Sequence, residues 1–540
     1  MLHRHSAAVL LAIVTLLGGG AKAAAESEGS ALPRAQGLPL SPREPSSILE
    51  RISSEPSTPA TPSFGLPGDA SDDPWVAQVE QRLIALRQAA LAHAEHRPPE
   101  AAVSGDLSAR LERIASGLHD DAVLGIAVRE LSTGAPVFEH DAERSLNPAS
   151  NHKLLTAAAA LELLGDDYRF ETRVLRDGDT LVLVGEGDPS LQVDDLAALA
   201  GAVAETVELQ GIRRILVDDS AFSERRFGPG YDPEGPGVSY MAPSGALSLQ
   251  FNTVEIEVRG GASGQPVAVS VSPACEHLEI RSTATGGRGA LSVQSWNNGD
   301  RTVIDVRGHL PKGARHAKRR RITEPGLFTG SAFAEQLAHR GAPALVVERG
   351  ATPATAELVA THRSAPLPEV LESALAYSNN FTTEQVLRTL GWRMTGEPGD
   401  WDNGHRALER YWEAAGLPED AIVFENASGL SSRGRITAAA LADLLAFATR
   451  EGSPAAALLQ VLPVAGREGT LRGRLRRSGG RVRAKTGTLR GASALSGVVE
   501  AKGGRRLGFS ILVNGPVSPT LSRRLQDRVV MALVEHGAAH

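Results

Sequence analysis

The chain has 540 residues, of which 42% are hydrophobic and 22% are charged, and its formal net charge at pH 7 is −7. This length exceeds what one compact core usually holds, so we expect at least two domains, and the acidic balance argues against nucleic-acid binding. Cys275 is the only cysteine, which excludes an intrachain disulfide and a multi-cysteine zinc site. No histidine spacing is typical of a metal site, so the sequence predicts a protein without metal or cofactor.

The first 25 residues have the pattern of an export signal. A basic start at Arg4 precedes an apolar run, Ala7–Leu17, and the small residues Ala23 and Ala25 offer cleavage sites. The alternative is a membrane anchor, which needs about 20 apolar residues, and this run is shorter. We therefore predict that residues 1–25 are a signal peptide, and that the exported protein has no integral membrane anchor and acts in the periplasm or cell envelope.

Residues 26–72 are rich in proline and serine and have no apolar period, which predicts a disordered linker. Asp73 followed by Pro74 then has the pattern of a helix start. A second amphipathic helix follows, and after it a β-hairpin whose strands are predicted at Val123–Leu131 and Ala135–Glu139. An Ala- and Leu-rich stretch, 151–164, predicts a helix that begins beside Ser150.

From residue 170 to residue 345 the pattern changes to short alternating strands separated by glycine turns, which predicts a mainly β inserted domain. Helical patterns return at 368–390, 405–415 and 437–448, and two closing strands, 492–500 and 505–513, precede a final helix. The predicted fold is α/β (α+β): residues 73–169 and 346–540 form a sheet flanked by helices, and residues 170–345 interrupt it.

Three short motifs follow one another along the chain. They are Ser150-x-x-Lys153, Ser378-x-Asn380 and Lys485-Thr486-Gly487-Thr488, the last predicted to lie just before a strand. Three residues apart on a helix, Ser150 and Lys153 project from one face, so a neutral lysine amine can take the proton that makes the hydroxyl nucleophilic. Partial burial and a nearby positive charge, for which Lys485 is the candidate, lower a lysine pKa.

Each motif alone is common, but the use of lysine makes them informative. The chain has 56 Lys and Arg residues, and only six of them are lysines. One lysine, Lys153, has a serine three positions before it, and one, Lys485, opens K-T-G. Because guanidinium stays charged, a lysine at position 153 indicates a need for an amine that can lose its proton.

The ordered motifs are typical of penicillin-binding proteins and class A β-lactamases, and further segments narrow the resemblance. The chain resembles the low-molecular-mass class C penicillin-binding proteins, which include D-Ala-D-Ala carboxypeptidases with endopeptidase activity. The similar segments are 146–156, 185–191 (GEGDPSL), 246–252, 364–367, 462–466 and 469–471. One position departs from the family pattern, because Asn426 begins N-A-S-G-L-S where the family usually has D-G-S-G-L-S. The amide can still hold its loop by hydrogen bonds.

The resemblance implies an acyl transfer at a D-alanine carbonyl, with peptidoglycan stem peptides as substrates and β-lactams as acylating inhibitors. Ser150 would form the acyl-enzyme and Lys153 would be its base, while Ser378 and Asn380 would relay protons and orient the substrate amide. Lys485, Thr486, Gly487 and Thr488 would bind the terminal carboxylate, and the backbone N–H groups of Ser150 and Thr488 would form the oxyanion hole. The long separation between the first two motifs favours this subclass over β-lactamases, whose connection there is shorter.

Two other functions stay open at this point. One is a β-lactamase or esterase with the same nucleophile, and the other is a catalytically silent cell-wall binding protein, which the intact motifs count against. A basic run, 315–321 (RHAKRRR), could bind an anionic cell-wall polymer, although such a run is more often a solvated loop. The preference between carboxypeptidase and endopeptidase activity and the oligomeric state are not set by the sequence.

Overall fold

A computed structural model describes residues 73–99, 105–117, 121–299 and 301–537. The predicted signal peptide and the predicted linker, 1–25 and 26–72, lie outside the described residues. No described helix is both long enough and apolar enough to cross a membrane.

The described residues form eleven α-helices. In chain order they are α1 (Pro74–Glu95), α2 (Gly105–Ala115), α3 (Lys153–Leu164), α4 (Val193–Thr206), α5 (Pro325–Ala338), α6 (Leu367–Tyr377), α7 (Asn380–Thr395), α8 (Trp401–Ala414), α9 (Ala438–Ala448), α10 (Leu458–Val461) and α11 (Pro519–Glu535).

The described residues also form nineteen strands. In chain order they are β1 (Val123–Glu130), β2 (Pro136–His140), β3 (Glu171–Asp177), β4 (Thr180–Gly185), β5 (Arg214–Asp218), β6 (Thr253–Arg259), β7 (Ala268–Ser272), β8 (Leu278–Ser282), β9 (Thr285–Gly286), β10 (Leu291–Asn298), β11 (Arg301–Leu310), β12 (Arg315–Arg321), β13 (Val346–Arg349), β14 (Glu357–Arg363), β15 (Ile422–Val423), β16 (Arg435–Ile436), β17 (Val482–Leu489), β18 (Ala492–Glu500) and β19 (Arg506–Asn514).

The core sheet joins the two ends of the described chain. Its strand order is β17-β18-β19-β1-β2, and every neighbouring pair is antiparallel. Alternate side chains face opposite sides of a strand, so Ile126 and Val128 pack with α2 and α11, while Ala127 packs with the helical cluster that includes α3 and α9. The predicted hairpin, closing strands and final helix are confirmed, but the K-T-G prediction was wrong in one respect: the motif lies inside edge strand β17 and not before it.

Helix α3 is the centre of the helical cluster. All twelve of its residues are buried, which is possible because nine of them are alanine or leucine, and it packs against α1, α6, α7 and α8. Gly165 ends the helix at a φ of 96°, a backbone conformation that glycine adopts without steric cost. A 3₁₀ turn, Ala149–His152, precedes the helix, so the structure places Ser150 in that turn, one turn before the helix proper.

We call residues 170–363 the inserted region. It contains a five-stranded sheet in the order β13-β5-β4-β3-β14, a three-stranded sheet β12-β6-β7, and a further sheet that includes β10, β11 and β8. Helices α4 and α5 pack on these strands, as a mainly β region allows. One feature differs from the sequence prediction, because β13 and β14 lie beyond residue 345. Both helices are rich in alanine and glycine, which weakens the apolar periodicity of their sequences. We propose a domain boundary near Arg363 in place of Leu345.

The basic run is strand β12, so the predicted solvated loop was wrong. All seven of its residues pair with β6, from Arg315 opposite Arg259 to Arg321 opposite Thr253. The last three side chains of the run are buried, and Arg315 is the one charged residue of the run that is well exposed. A sequence window cannot show this, because the partners that compensate the buried arginines come from elsewhere in the inserted region.

Candidate active site

The serine turn is anchored to the core sheet by side-chain amides. Asn151 donates from Nδ2 to Ser496 Oγ on β18 at 2.7 Å, and Asn147 Oδ1 accepts from the Ala149 N–H at 2.8 Å. Ala149 has a φ of 46°, a left-handed conformation that costs free energy in a residue other than glycine. The turn is thus held in one shape, with Ser150 partly exposed.

Lys153 lies directly beneath the serine and is completely buried. Its Nζ lies 3.3 Å from Ser150 Oγ, 2.8 Å from Asn380 Oδ1 and 2.6 Å from the Ser428 carbonyl oxygen. The two shorter partners can only accept hydrogen bonds, whereas the serine hydroxyl can also donate. An ammonium would donate to all three oxygens, whereas a neutral amine would donate to the two shorter partners and keep its lone pair for the serine hydroxyl.

Lys485 forms the other side of the site and is also completely buried. Its Nζ donates to Ser378 Oγ at 2.9 Å and to the Thr486 carbonyl oxygen at 2.6 Å. Ser378 has a φ of 59° and ends α6, so the chain turns sharply there before Asn380 begins α7. Of the remaining K-T-G residues, Thr486 is half-buried and Thr488 is exposed.

Two glycines allow the backbones of the site to approach each other closely. A Cβ at Gly487 would lie 2.7 Å from the Pro148 carbonyl oxygen, and one at Gly429 would lie 1.9 Å from the Ala149 carbonyl oxygen. Both distances are shorter than a carbon–oxygen contact permits. Gly487 therefore lets β17 lie against the serine turn, and Gly429 does the same for the loop that carries Ser428.

Electrostatics favours loss of a proton from Lys153. Burial is the main reason that the pKa of Lys153 lies well below the usual lysine value, the positive charge of Lys485 lowers this pKa further, and the Glu384 carboxylate opposes both effects. Burial also lowers the pKa of Lys485 to about 7. The prediction that Lys485 acts on Lys153 as a neighbouring charge is consistent with this order of causes, although burial contributes more.

The loop at Asn426 is held by hydrogen bonds. Asn426 donates from Nδ2 to the Pro229 carbonyl at 2.7 Å, and its Oδ1 accepts from the N–H groups of Gly429 and Leu430. Glu384 accepts from the Ser428 N–H at 3.0 Å. Asn426 Oδ1 therefore holds the Gly429 N–H, which belongs to the same peptide as the Ser428 carbonyl that faces Lys153. The buried carboxylate of Glu384 holds the N–H of the preceding peptide.

The profile of the D-Ala-D-Ala carboxypeptidase 3 (S13) family matches residues 107–535. The chain belongs to this family. The match includes all three motifs and the whole inserted region, so the S13 family accounts for both parts of the described fold.

Individual members of the S13 family agree with this assignment. The chain is 35% identical to a D-alanyl-D-alanine carboxypeptidase from Actinomadura sp. (strain R39) over 77% of this chain and 82% of that one. It is 28% identical to a carboxypeptidase DacB from Mycolicibacterium smegmatis over 73% of this chain and 77% of that one. The crystal structure of penicillin binding protein 4 from Haemophilus influenzae has a TM-score of 0.68 at 20% identity, covers 79% of this chain and 99% of its own, and shows the same fold.

The structure brings every residue of the three motifs to one place, although the motifs are far apart in sequence. Sequence reasoning missed two contributors to this S13-type site: the carboxylate of Glu384 and the carbonyl of Tyr240, which accepts from Asn380 Nδ2 at 3.0 Å. The position of Glu384 could have been predicted from the sequence, because it lies four residues after Asn380 on the same helical face. The backbone carbonyl of Tyr240 had none, since any residue type supplies one.

Proposed function

We propose that this protein is a serine D-alanyl-D-alanine carboxypeptidase and endopeptidase that cleaves peptidoglycan stem peptides and cross-links through an acyl-enzyme on Ser150. The observation that carries the proposal is the buried amine of Lys153, 3.3 Å from Ser150 Oγ and held by two oxygens that only accept hydrogen bonds. A buried lysine without a carboxylate in hydrogen-bond contact is poised to be neutral, and a neutral amine is the base that a serine nucleophile requires.

In the acylation step Ser150 Oγ attacks the carbonyl carbon that joins the last two residues of the stem peptide. The hydroxyl proton passes to Lys153 Nζ, and the bond between that carbon and the leaving nitrogen breaks. Lys153, through Ser378 where a relay is needed, returns the proton to the leaving amine, and the terminal D-alanine departs. The backbone N–H groups of Ser150 and Thr488 hold the oxyanion, and water then hydrolyses the ester and restores the serine.

Recognition of the terminal carboxylate is shared among the residues of β17. Lys485 is fully buried, so we assign direct contact with the carboxylate to the hydroxyls of Thr486 and Thr488, and assign to Lys485 the positive charge beneath them. Thr486 Oγ1 donates to Thr470 Oγ1 at 2.8 Å, which fixes its orientation, and Gly487 keeps the strand against the serine turn. Because β17 is an edge strand, an extended peptide can lie beside it.

Asn380 orients the substrate amide and accepts a hydrogen bond from Lys153 Nζ at 2.8 Å. β-Lactams enter the same site as acylating inhibitors, since they present a reactive amide and a carboxylate at similar positions. A structure of the penicillin binding protein 4 from Haemophilus influenzae contains a β-lactam, and it matches this chain with a TM-score of 0.64 at 19% identity. That match supports the fold of the pocket, and the chemistry of the residues above supports the inhibitor class.

We also propose that the enzyme is exported and acts in the periplasm or cell envelope, where its substrate polymer lies. The composition of residues 1–25 supports this. N-terminal sequencing of the protein recovered from the cell envelope is expected to begin after Ala23 or Ala25. Recovery of an N-terminus at Met1 from the cytoplasm contradicts export.

The decisive experiment is to incubate the purified chain with muropeptides of defined stem length and measure the products by mass spectrometry. Loss of one D-alanine from a pentapeptide is the expected carboxypeptidase product, and separation of a cross-linked dimer is the expected endopeptidase product. Benzylpenicillin is expected to add its mass to the intact protein and to block both reactions. Rapid hydrolysis of penicillin with intact muropeptides would instead identify a β-lactamase.

A further inference from the structure

One contact between the inserted region and the active site is made by a short turn, Ser239–Met241. The Tyr240 carbonyl oxygen in this turn accepts from Asn380 Nδ2 at 3.0 Å, and Asn380 Oδ1 accepts from Lys153 Nζ at 2.8 Å. A carboxamide has an acceptor on one side and donors on the other. If the amide rotated by half a turn, its NH₂ group would face the lysine amine and its oxygen would face the Tyr240 carbonyl, so this carbonyl selects the orientation that serves Lys153.

The turn is held from within the inserted region by Arg321, the last residue of β12. Arg321 is 3% exposed, and its guanidinium donates to the carbonyls of Asp232 at 2.8 Å and Met241 at 3.1 Å, and also to that of Pro233. The guanidinium lies over the ring of Phe227, 4.9 Å from its centroid. Met241 directly follows Tyr240, so the hydrogen bond to Met241 fixes the peptide next to the one that meets Asn380.

The chemistry of this contact requires arginine. Three carbonyls that come from both ends of the 232–241 loop converge on one planar fork, and a guanidinium offers five N–H donors in fixed directions. A lysine ammonium is a point charge with three rotating donors and cannot cover the same three oxygens in a plane. The loop therefore has one arrangement while the arginine is present, and the Tyr240 carbonyl keeps one position.

We propose that Arg321 is a positioning residue for the catalytic lysine: it fixes the 232–241 loop, whose Tyr240 carbonyl orients Asn380, which in turn holds Lys153 beside Ser150. The inference rests on the proposed function, in that Lys153 serves as the base for Ser150. It goes beyond that function because it assigns part of the bond-breaking step to the inserted region, which contains none of the three motifs.

The test is the acylation of the purified full chain by fluorescent penicillin, resolved into binding (K) and acylation (k2). Arg321→Lys is expected to lower k2 about tenfold, the loss that follows when a hydrogen bond to a charged group is weakened, and to leave K within about twofold. Arg320→Lys is the matched control, because the neighbouring buried arginine donates to the Val293 carbonyl and not to the 232–241 loop; its k2 is expected to equal that of the wild type.

A double-mutant cycle separates positioning from a general loss of stability. In an Asn380→Ala background, Arg321→Lys is expected to change k2 by less than about twofold, since the amide through which it acts is gone. A tenfold loss in both backgrounds, an equal loss in Arg320→Lys, or a wild-type k2 in Arg321→Lys would each overturn the proposal. Circular dichroism will show whether Arg321→Lys folds. If it does not, Phe227→Leu removes the ring beneath the guanidinium and is expected to lower k2 as well. An unchanged k2 in Phe227→Leu counts against the proposal. Failure of the proposed function is distinct, because the wild type itself would then not be labelled.

Discussion

The active site and strand β12 of the inserted region both bury positively charged side chains, but they compensate the charge in different ways. In the core, Lys153 and Lys485 are completely buried, and their hydrogen-bond partners are hydroxyls, an amide oxygen and backbone carbonyls. No carboxylate among the described residues forms an ion pair with either lysine. Glu384 interacts with Lys153 electrostatically, and its oxygens are engaged by backbone N–H groups and the indole of Trp401.

In the inserted region the buried cations are arginines on β12. Arg319 forms an ion pair with Glu255 at 3.2 Å, and Arg320 donates from Nε to the Val293 carbonyl at 2.7 Å. Arg321 has three carbonyls and an aromatic ring around it. Each guanidinium keeps its proton and uses its several donors to join separate segments of the region.

This difference in hydrogen-bond partners indicates different roles for the buried lysines and the buried arginines. A lysine that is buried without a paired carboxylate can release its proton, and this makes it useful to a nucleophile. An arginine stays charged under the same conditions, so its burial serves structure. The strong preference of this chain for arginine therefore has an informative exception at positions 153 and 485. The four predictions below test this contrast.

The largest effect is expected for Ser150→Ala, because the whole reaction depends on that hydroxyl. Acylation by fluorescent penicillin should fall by at least about 10³-fold, a conservative scale for loss of a serine nucleophile, while circular dichroism stays unchanged. Ser432→Ala, at an exposed serine near the site, is the control and should be labelled normally. Undiminished labelling of Ser150→Ala would place the nucleophile elsewhere and remove the reason for a neutral lysine.

The next effect concerns the proton of Lys153. Lys153→Arg places a permanently charged guanidinium where a neutral amine is proposed and cannot act as a base, so the acylation rate at neutral pH should fall by about 10²-fold or more. Lys502→Arg, the same change at an exposed position, should leave the rate unaltered. If Lys153→Arg acylates at close to the wild-type rate, a buried arginine serves as well as a buried lysine at this position. That result would contradict the role of Lys153 as the base.

The pH dependence distinguishes the two lysines. For a substrate with a free carboxylate, the acylation rate should rise with pH as Lys153 loses its proton, because only the neutral amine accepts one. It should fall above about pH 7, by up to about tenfold per pH unit, as Lys485 loses its charge, since burial lowers the pKa of Lys485 to about 7. The matching amide substrate should retain the rise and lack the fall. An alkaline fall with both substrates would show that Lys485 does not act on the carboxylate.

The smallest effect is on stability in the inserted region. Arg320→Gln removes a buried charged donor and should lower the free energy of unfolding by about 2 kcal/mol, as measured by urea denaturation. Arg315→Gln, at the exposed end of the same strand, loses only a surface ion pair with Glu257 and should cost less than about 1 kcal/mol. If both variants lose the same free energy of unfolding, burial does not determine how much each arginine of β12 contributes to stability.

The same pair of variants tests the earlier hypothesis that the basic run binds an anionic wall polymer. Because the run is a paired strand whose last three arginines are buried, Arg315→Gln should sediment with insoluble peptidoglycan to the same extent as the wild type at low salt. A clear loss of binding would show that the exposed end of β12 contacts the polymer.

The sequence by itself determined the local elements and the residue types of the chemistry. Capping residues predicted the start of α1 at Pro74, and alternation predicted the hairpin strands to within one residue, since such patterns repeat within a short window. The scarcity of lysine singled out Lys153 and Lys485, because no other residue type offers a basic amine that burial can neutralise. The catalytic roles of these lysines stay predictions until the variants above are measured.

The tertiary structure alone decided what surrounds those lysines. The amine of Lys153 meets Asn380 and the Ser428 carbonyl across 227 and 275 residues of sequence, and the Tyr240 carbonyl meets Asn380 from another sheet system. Every residue has the same backbone carbonyl, so no pattern of side chains in the sequence predicts which carbonyl will face a buried amine. For the same reason a basic run could be recognised in sequence, while its burial in a strand depended on partners that only the fold brings together.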